Sequence, residues 1–140
     1  PSSSDRFRRR VAAVAGAVGL SADEQFDAEW AALLCRVGRL EGFARAVPLA
    51  GAVCVVRSIQ ERWDGTGEPD KRAGESIPFA SRVIAVVKKL DDLTSGMDGR
   101  APLSLAQGVK ELESAAGTQF DAACVEALAR WVRAGGWENP

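Results

Sequence analysis

The chain has 140 residues, with Lys+Arg 18 against Asp+Glu 19, a net charge of −1 and no histidine. That length suits one compact domain that buries most of its apolar surface without cross-links. The interspersed charge leaves no electrostatic footprint for nucleic acid, and no apolar run approaches the ~20 residues that would span a bilayer.

The three cysteines, Cys35, Cys54 and Cys124, are widely spaced and lie in apolar helical runs. This predicts reduced, buried thiols in a cytoplasmic protein, with neither a disulfide framework nor a zinc site. No signal peptide is visible, and the abrupt start at Pro1-Ser2-Ser3-Ser4 reads as a single domain, residues 1–140, excised from a longer protein.

Arg6, Arg8, Arg9 and Arg10 read as the solvated flank of a first helix rather than an anion site. Val11, Val14, Ala15 and Val18 follow helical spacing, and Gly19 ends the run. Ser21 to Glu24 is a capping box, in which serine and glutamate side chains satisfy free amides at a helix start. Phe26, Trp30, Leu33, Leu34 and Val37 then stripe one face, with Gly38 placed to stop the helix. A short helical piece from Leu40 to Ala46 precedes Pro48. Leu49, Val53, Val56 and Ile59 or Gln60 line the next helix.

The chain restarts at Ile77-Pro78, and Phe79, Val83, Ile84, Val87, Leu90 and Leu93 make the longest apolar face, which predicts the central helix. Gly96 to Pro102 is a loop. Ser104 to Gln107 is a second capping box, opening a helix with Val109 and Leu112 inward. Asp121 caps a last helix whose inner face carries Cys124 or Val125, Leu128 and Trp131 or Val132. The fold class is all-α, a single bundle of about six or seven helices.

The stretch that singles out this chain is Glu61-Arg62-Trp63-Asp64-Gly65-Thr66-Gly67-Glu68-Pro69, whose glycines and proline beside a tryptophan mark a fixed turn. With Ile77 to Val86, Leu93-Thr94-Ser95 and Gly117-Thr118-Gln119-Phe120-Asp121, it resembles the HD-GYP domain of bacterial cyclic di-GMP phosphodiesterases. That family typically reads His-His-Glu-Arg-Trp-Asp-Gly-Thr-Gly-Tyr-Pro here; in this chain the tyrosine position is Glu68.

The resemblance implies a metal site built from histidines and aspartates. The corresponding positions hold Phe7, Cys35, Arg36, Val47, Ile59, Gln60 and Lys88. A lysine and an arginine there repel a dication. The expectation is therefore a chain with no metal, no cofactor and no catalytic residues, and so not an enzyme. On this reading it is a regulatory module of bacterial signalling that acts by protein–protein interaction.

The resemblance implies a docking loop of Arg62, Trp63, Asp64, Gly65, Thr66, Gly67, Glu68 and Pro69. Its partner would be a GGDEF-type or other signalling domain, with no nucleic acid and no membrane insertion. A homodimer through an apolar patch at Trp131 and Trp137 is a variant, although core packing accounts for at least one of these more simply. The alternative is a metal-independent sensor of cyclic di-GMP or another nucleotide, with Arg36, Arg39 and Lys88 on the phosphates. Asp92 and Lys88 read as an i, i+4 surface pair. Asp64, Glu68 and Asp70 would give at best a weak magnesium site.

Overall fold

The computed structural model describes residues 2–35, 50–97, 99–138 and 140; Val37, Gly38, the helix expected from Leu40 to Ala46, and the candidate positions Arg36, Arg39 and Val47 lie outside them. Among the described residues there are six α-helices: α1 (Ser3–Val18), α2 (Ala22–Leu34), α3 (Ala50–Arg57), α4 (Phe79–Ser95), α5 (Leu105–Ser114) and α6 (Ala122–Arg133). A 3₁₀ turn at Gly74–Ser76 precedes α4. The only strand-like pairings among these residues are isolated bridges, Asp64 with Ala73 and Ala116 with Phe120. None of the described helices is long and apolar enough to cross a membrane.

The helix ends follow the sequence closely. Ser2 Oγ accepts from the Asp5 amide at 3.1 Å to open α1, and Gly19, with φ +84°, closes it in the left-handed conformation. Ser21 and Glu24 form the reciprocal capping box, at 3.0 and 3.2 Å. Ser104 and Gln107 repeat it at the start of α5. Asp121 caps α6 by accepting from the Ala123 amide at 2.9 Å.

Helix α4 packs against all five other helices. Val83, Ile84, Val86, Val87, Leu90 and Leu93 are fully buried, each contributing about 1.5–3 kcal/mol of apolar burial. Ser81, also buried, donates its hydroxyl to the Val55 carbonyl at 2.7 Å and so ties α4 to α3. Gly108 lets α5 approach closely, since a Cβ there would sit 2.6 Å from Leu90 Cδ1.

The expected stripe on α2 is buried at Leu34 but turns outward at its aromatic residues. Its buried residues are Ala28, Ala31, Ala32 and Leu34, whereas Phe26 and Trp30 are 44% and 39% exposed. Alanines admit the close approach of α1, α3 and α4, and the bulky aromatics are left outside, their rings 6.4 Å apart and tilted by 57°.

Arg10 also departs from expectation. Instead of lying in solvent, its guanidinium stacks 3.7 Å from the Trp137 ring centroid and donates to the Trp137 carbonyl at 2.9 and 3.3 Å and to Asp91 at 3.2 Å. Burial draws its pKa down, offset in part by Asp91. Trp137 is buried and meets Trp131 edge-on at 6.2 Å, so it serves the core and not an exposed patch. Of the cysteines only Cys124 is fully buried; Cys54 is exposed and Cys35 lies between, so burial of all of them does not hold.

Candidate functional site

The loop from Glu61 to Ser76 begins where α3 unwinds, and backbone bonds from Ser58 and Ile59 back to Val55 and Val56 finish the turn. Glu61, only 6% exposed, fixes the rest of the loop. Its two carboxylate oxygens accept from the backbone amides of Asp70 and Arg72, each at 2.6 Å, so one side chain closes the loop on itself.

The loop is also hydrogen-bonded to the turn before α6. The Trp63 and Asp64 amides donate to the carbonyls of Gln119 and Thr118 at 3.1 and 2.9 Å. Behind Trp63, the Arg82 guanidinium lies 5.7 Å from its ring and 4.5 Å from that of Phe79, and donates to Asp121 at 2.7 Å and to the Ile77 carbonyl at 3.0 Å.

The motif residues mostly serve this architecture. Asp64 accepts from Arg62 at 3.2 and 3.3 Å and from the Thr66 hydroxyl and amide at 2.6 and 3.0 Å. These bonds, Arg62's first, hold its carboxyl pKa at about 2. Gly67 is obligatory, because a Cβ would lie 2.5 Å from the Arg62 nitrogen and 2.7 Å from the Gln60 carbonyl oxygen. Asp70 is held by Arg57 at 3.1 and 3.2 Å, which lowers its pKa. Asp64 and Asp70 are thus committed to different arginines. Among the described residues, no three His, Cys, Asp or Glu side chains gather in a way that could hold a metal ion.

Between this loop, α2, α3, α4 and the turn at Gln119-Phe120 lies a cavity of about 760 Å³. Cys35, Ile59, Gln60 and Lys88, positions the resemblance marks as metal ligands, all line it. Phe7 does not; it is buried in the core of α1. Arg36, Arg39 and Val47 lie outside the described residues. From the candidate loop, Arg62, Glu68 and Pro69 also form part of the wall.

Lys88 makes the expected i, i+4 pair with Asp92, at 2.7 Å. Asp91 turns away to Arg10, so the Lys88-Lys89 and Asp91-Asp92 doublets are not one cluster. Arg57, Lys89 and Gln119 complete the polar lining. Sequence reasoning gave the side chains of Arg57 and Gln119 no role, since only the folded loop brings them to the cavity.

The donor set at these positions is a half-buried thiol, an alkyl group, an amide and an ammonium. An ammonium has no lone pair to give and repels a dication, so these residues do not fit a metal ion.

The HD domain family matches residues 44–124, more than half of the chain. The chain is 36% identical over 80 residues to the cyclic di-GMP phosphodiesterase response regulator RpfG of Xanthomonas campestris pv. campestris, covering 57% of this chain and 21% of that protein. It is 29% identical over 85 residues to the 3'3'-cGAMP-specific phosphodiesterase 3 of Vibrio cholerae, covering 61% and 16%. The fold matches the crystal structure of a cyclic GMP-AMP-specific phosphodiesterase of V. cholerae with a TM-score of 0.70 at 20% identity, over 100% of this chain and 45% of that one. The chain thus spans 21% or less of the length of these curated relatives.

These relatives overturn the expectation that the chain is not an enzyme, because they are phosphodiesterases. That expectation rested on an inventory of side chains, two of which, Arg36 and Val47, lie outside the described residues. A short list of positions weighs less than a match over most of the chain.

Proposed function

The chain belongs to the HD domain family, and from that premise we propose that its cavity binds a cyclic dinucleotide, meeting the ligand's phosphates with fixed cations. The observation that carries this reading is the convergence of Cys35, Ile59, Gln60 and Lys88 on one cavity of about 760 Å³. That volume falls within the ~300–1,000 Å³ of ordinary small-molecule sites. Its relatives' names speak of cyclic di-GMP and 3'3'-cGAMP, both phosphodiesters.

Lys88 and Lys89 from α4, Arg57 from the end of α3 and Arg62 from the loop bring positive charge to the lining. Of the acids in the lining, Glu61 is spent on two backbone amides, Asp92 is paired with Lys88 and Glu68 is exposed. Arg57 and Arg62 are themselves paired with Asp70 and Asp64, which leaves the two lysines to meet a phosphate. The Lys88 side chain is 42% exposed. Such a pair is worth little in water, so the ammonium can exchange its carboxylate for a phosphate at small cost.

Calorimetric titration with cyclic di-GMP and with 3'3'-cGAMP, in EDTA and again with manganese, tests this reading. Saturable heat in EDTA is expected, weakened about tenfold by Lys88→Met, the scale of one charge-assisted hydrogen bond. Chromatography of the same mixtures reads whether the diester is opened. No heat from either ligand in either condition would overturn the proposal.

A second reading, docking of a GGDEF-type or other signalling protein, draws on the run Glu68 to Arg72, which is exposed throughout. In that case, amide signals of Asp70 to Arg72, which do not line the cavity, shift on addition of the partner domain while those of Gln60, Lys88 and Gln119 stay still.

A further inference from the structure

The cavity beside Lys88 is not isolated. A second, smaller cavity of about 480 Å³ opens between α4, α5 and the turn before α6. The two have Lys89, Gln119 and Phe120 in common, so they adjoin at these residues, which form the waist between two lobes. Leu112 and Phe120, both buried, give the second lobe an apolar floor, and Arg100 paired to Glu111 at 2.8 Å gives it a polar wall.

The waist carries unspent polar chemistry. The Gln119 backbone is committed, its amide to Ala115 and its carbonyl to Trp63, which fixes where the residue stands. Its side-chain amide, half-buried, has no hydrogen bond among the described residues, and the half-buried Lys89 ammonium has neither hydrogen bond nor ion pair there. Lys88, one residue away, is by contrast paired to Asp92. At intermediate exposure both groups reach solvent, so each is available to a ligand without first breaking a bond within the protein.

We infer that Lys89 and Gln119 are specificity-determining residues, reading the edge of a purine base where the two lobes adjoin. The inference rests on the cyclic-dinucleotide reading of the same cavity and assigns one lobe to each end of the ligand. Guanine presents two acceptors, O6 and N7, to an ammonium, whereas adenine replaces one of them with an amine that repels it. The Gln119 carbonyl can accept from the guanine N1–H or amino group, while its NH₂ donates. The waist therefore favours guanine.

The test is calorimetric titration of the domain and of its Lys89→Met and Gln119→Leu variants with cyclic di-GMP and cyclic di-AMP. The unaltered domain should prefer the guanine ligand by roughly fivefold or more, the scale of one good base contact. Each variant should narrow that ratio while keeping a normal melting temperature. Binding of both ligands with a ratio that neither variant changes would overturn the assignment and leave the cavity reading standing. No binding of either ligand by the unaltered domain would overturn the assignment, and no binding of 3'3'-cGAMP besides would overturn the cavity reading too.

Discussion

Replacing Glu61 with glutamine is the sharpest probe of how the loop is held. The carboxylate lies 6% exposed and accepts two backbone amides at 2.6 Å, so both bonds are charge-assisted. Glutamine keeps one acceptor and turns the other position into an NH₂ group that faces a backbone N–H. One charged bond, about 1.5–3 kcal/mol, is lost, the other falls to about 1 kcal/mol, and a buried amide is left unsatisfied. The combined cost is about 2–4 kcal/mol, or about 6–12 °C in melting temperature for a domain of this size. Thermal unfolding followed by circular dichroism reads the global part. Hydrogen exchange at the Asp70 and Arg72 amides reads the local part, and both amides should lose protection. A shift under about 2 °C with unchanged exchange at both amides would refute the view that Glu61 closes the loop.

Gly67→Ala should cost about 1–3 kcal/mol in urea unfolding, because the new methyl meets backbone atoms, the Arg62 nitrogen at 2.5 Å first. Asp64 has a carboxyl pKa held at about 2, chiefly by Arg62. Its folded pKa is depressed, so its stabilising contribution is present above the ordinary carboxylate pKa and is lost as pH falls from about 4 through about 2. Arg62→Ala should move the Asp64 titration upward in a carbon-detected NMR experiment, and an unmoved midpoint would contradict the pairing. Burial, with Asp121 adding to it, pushes the Cys124 thiol up to about 12. At pH 8 a thiol reagent should therefore modify exposed Cys54 and leave Cys124 untouched until the domain unfolds.

Much of this architecture was legible in the sequence because it is written in local chemistry. The serine and acidic caps at Ser21, Ser104 and Asp121, and the long apolar face from Val83 to Leu93, depend on neighbours only a few positions away. The face of α2 was misread because periodicity ranks side chains by hydrophobicity. The fold instead selected Ala28, Ala31 and Ala32 for their small size and left Phe26 and Trp30 outside. Arg10 looked like part of a solvated cluster because its partners, Asp91 and Trp137, are distant in the chain.

The candidate site shows the same division. The motif Arg62 to Gly67 stood out in the sequence, and its glycine, aspartate and threonine are explained by bonds within the loop. Gln119 lay inside a recognisable motif but without a role. Its place at the waist is set by bonds from Trp63 to the turn before α6, which are long-range and leave no local pattern. The expectation that the chain is not an enzyme erred for a related reason: individual ligand positions were weighed above the extended match to phosphodiesterases.

The central claim is that the cavity lined by Gln60, Lys88 and Gln119 is the ligand site. Amide chemical-shift mapping of the isotope-labelled domain during titration with cyclic di-GMP tests it most directly. The account predicts saturable shifts concentrated at Gln60, Glu61, Lys88, Lys89, Gln119 and Phe120. Shifts confined to Asp70 to Arg72, which do not line the cavity, or to Phe26 and Trp30 on α2, would contradict it, as would a spectrum that does not move.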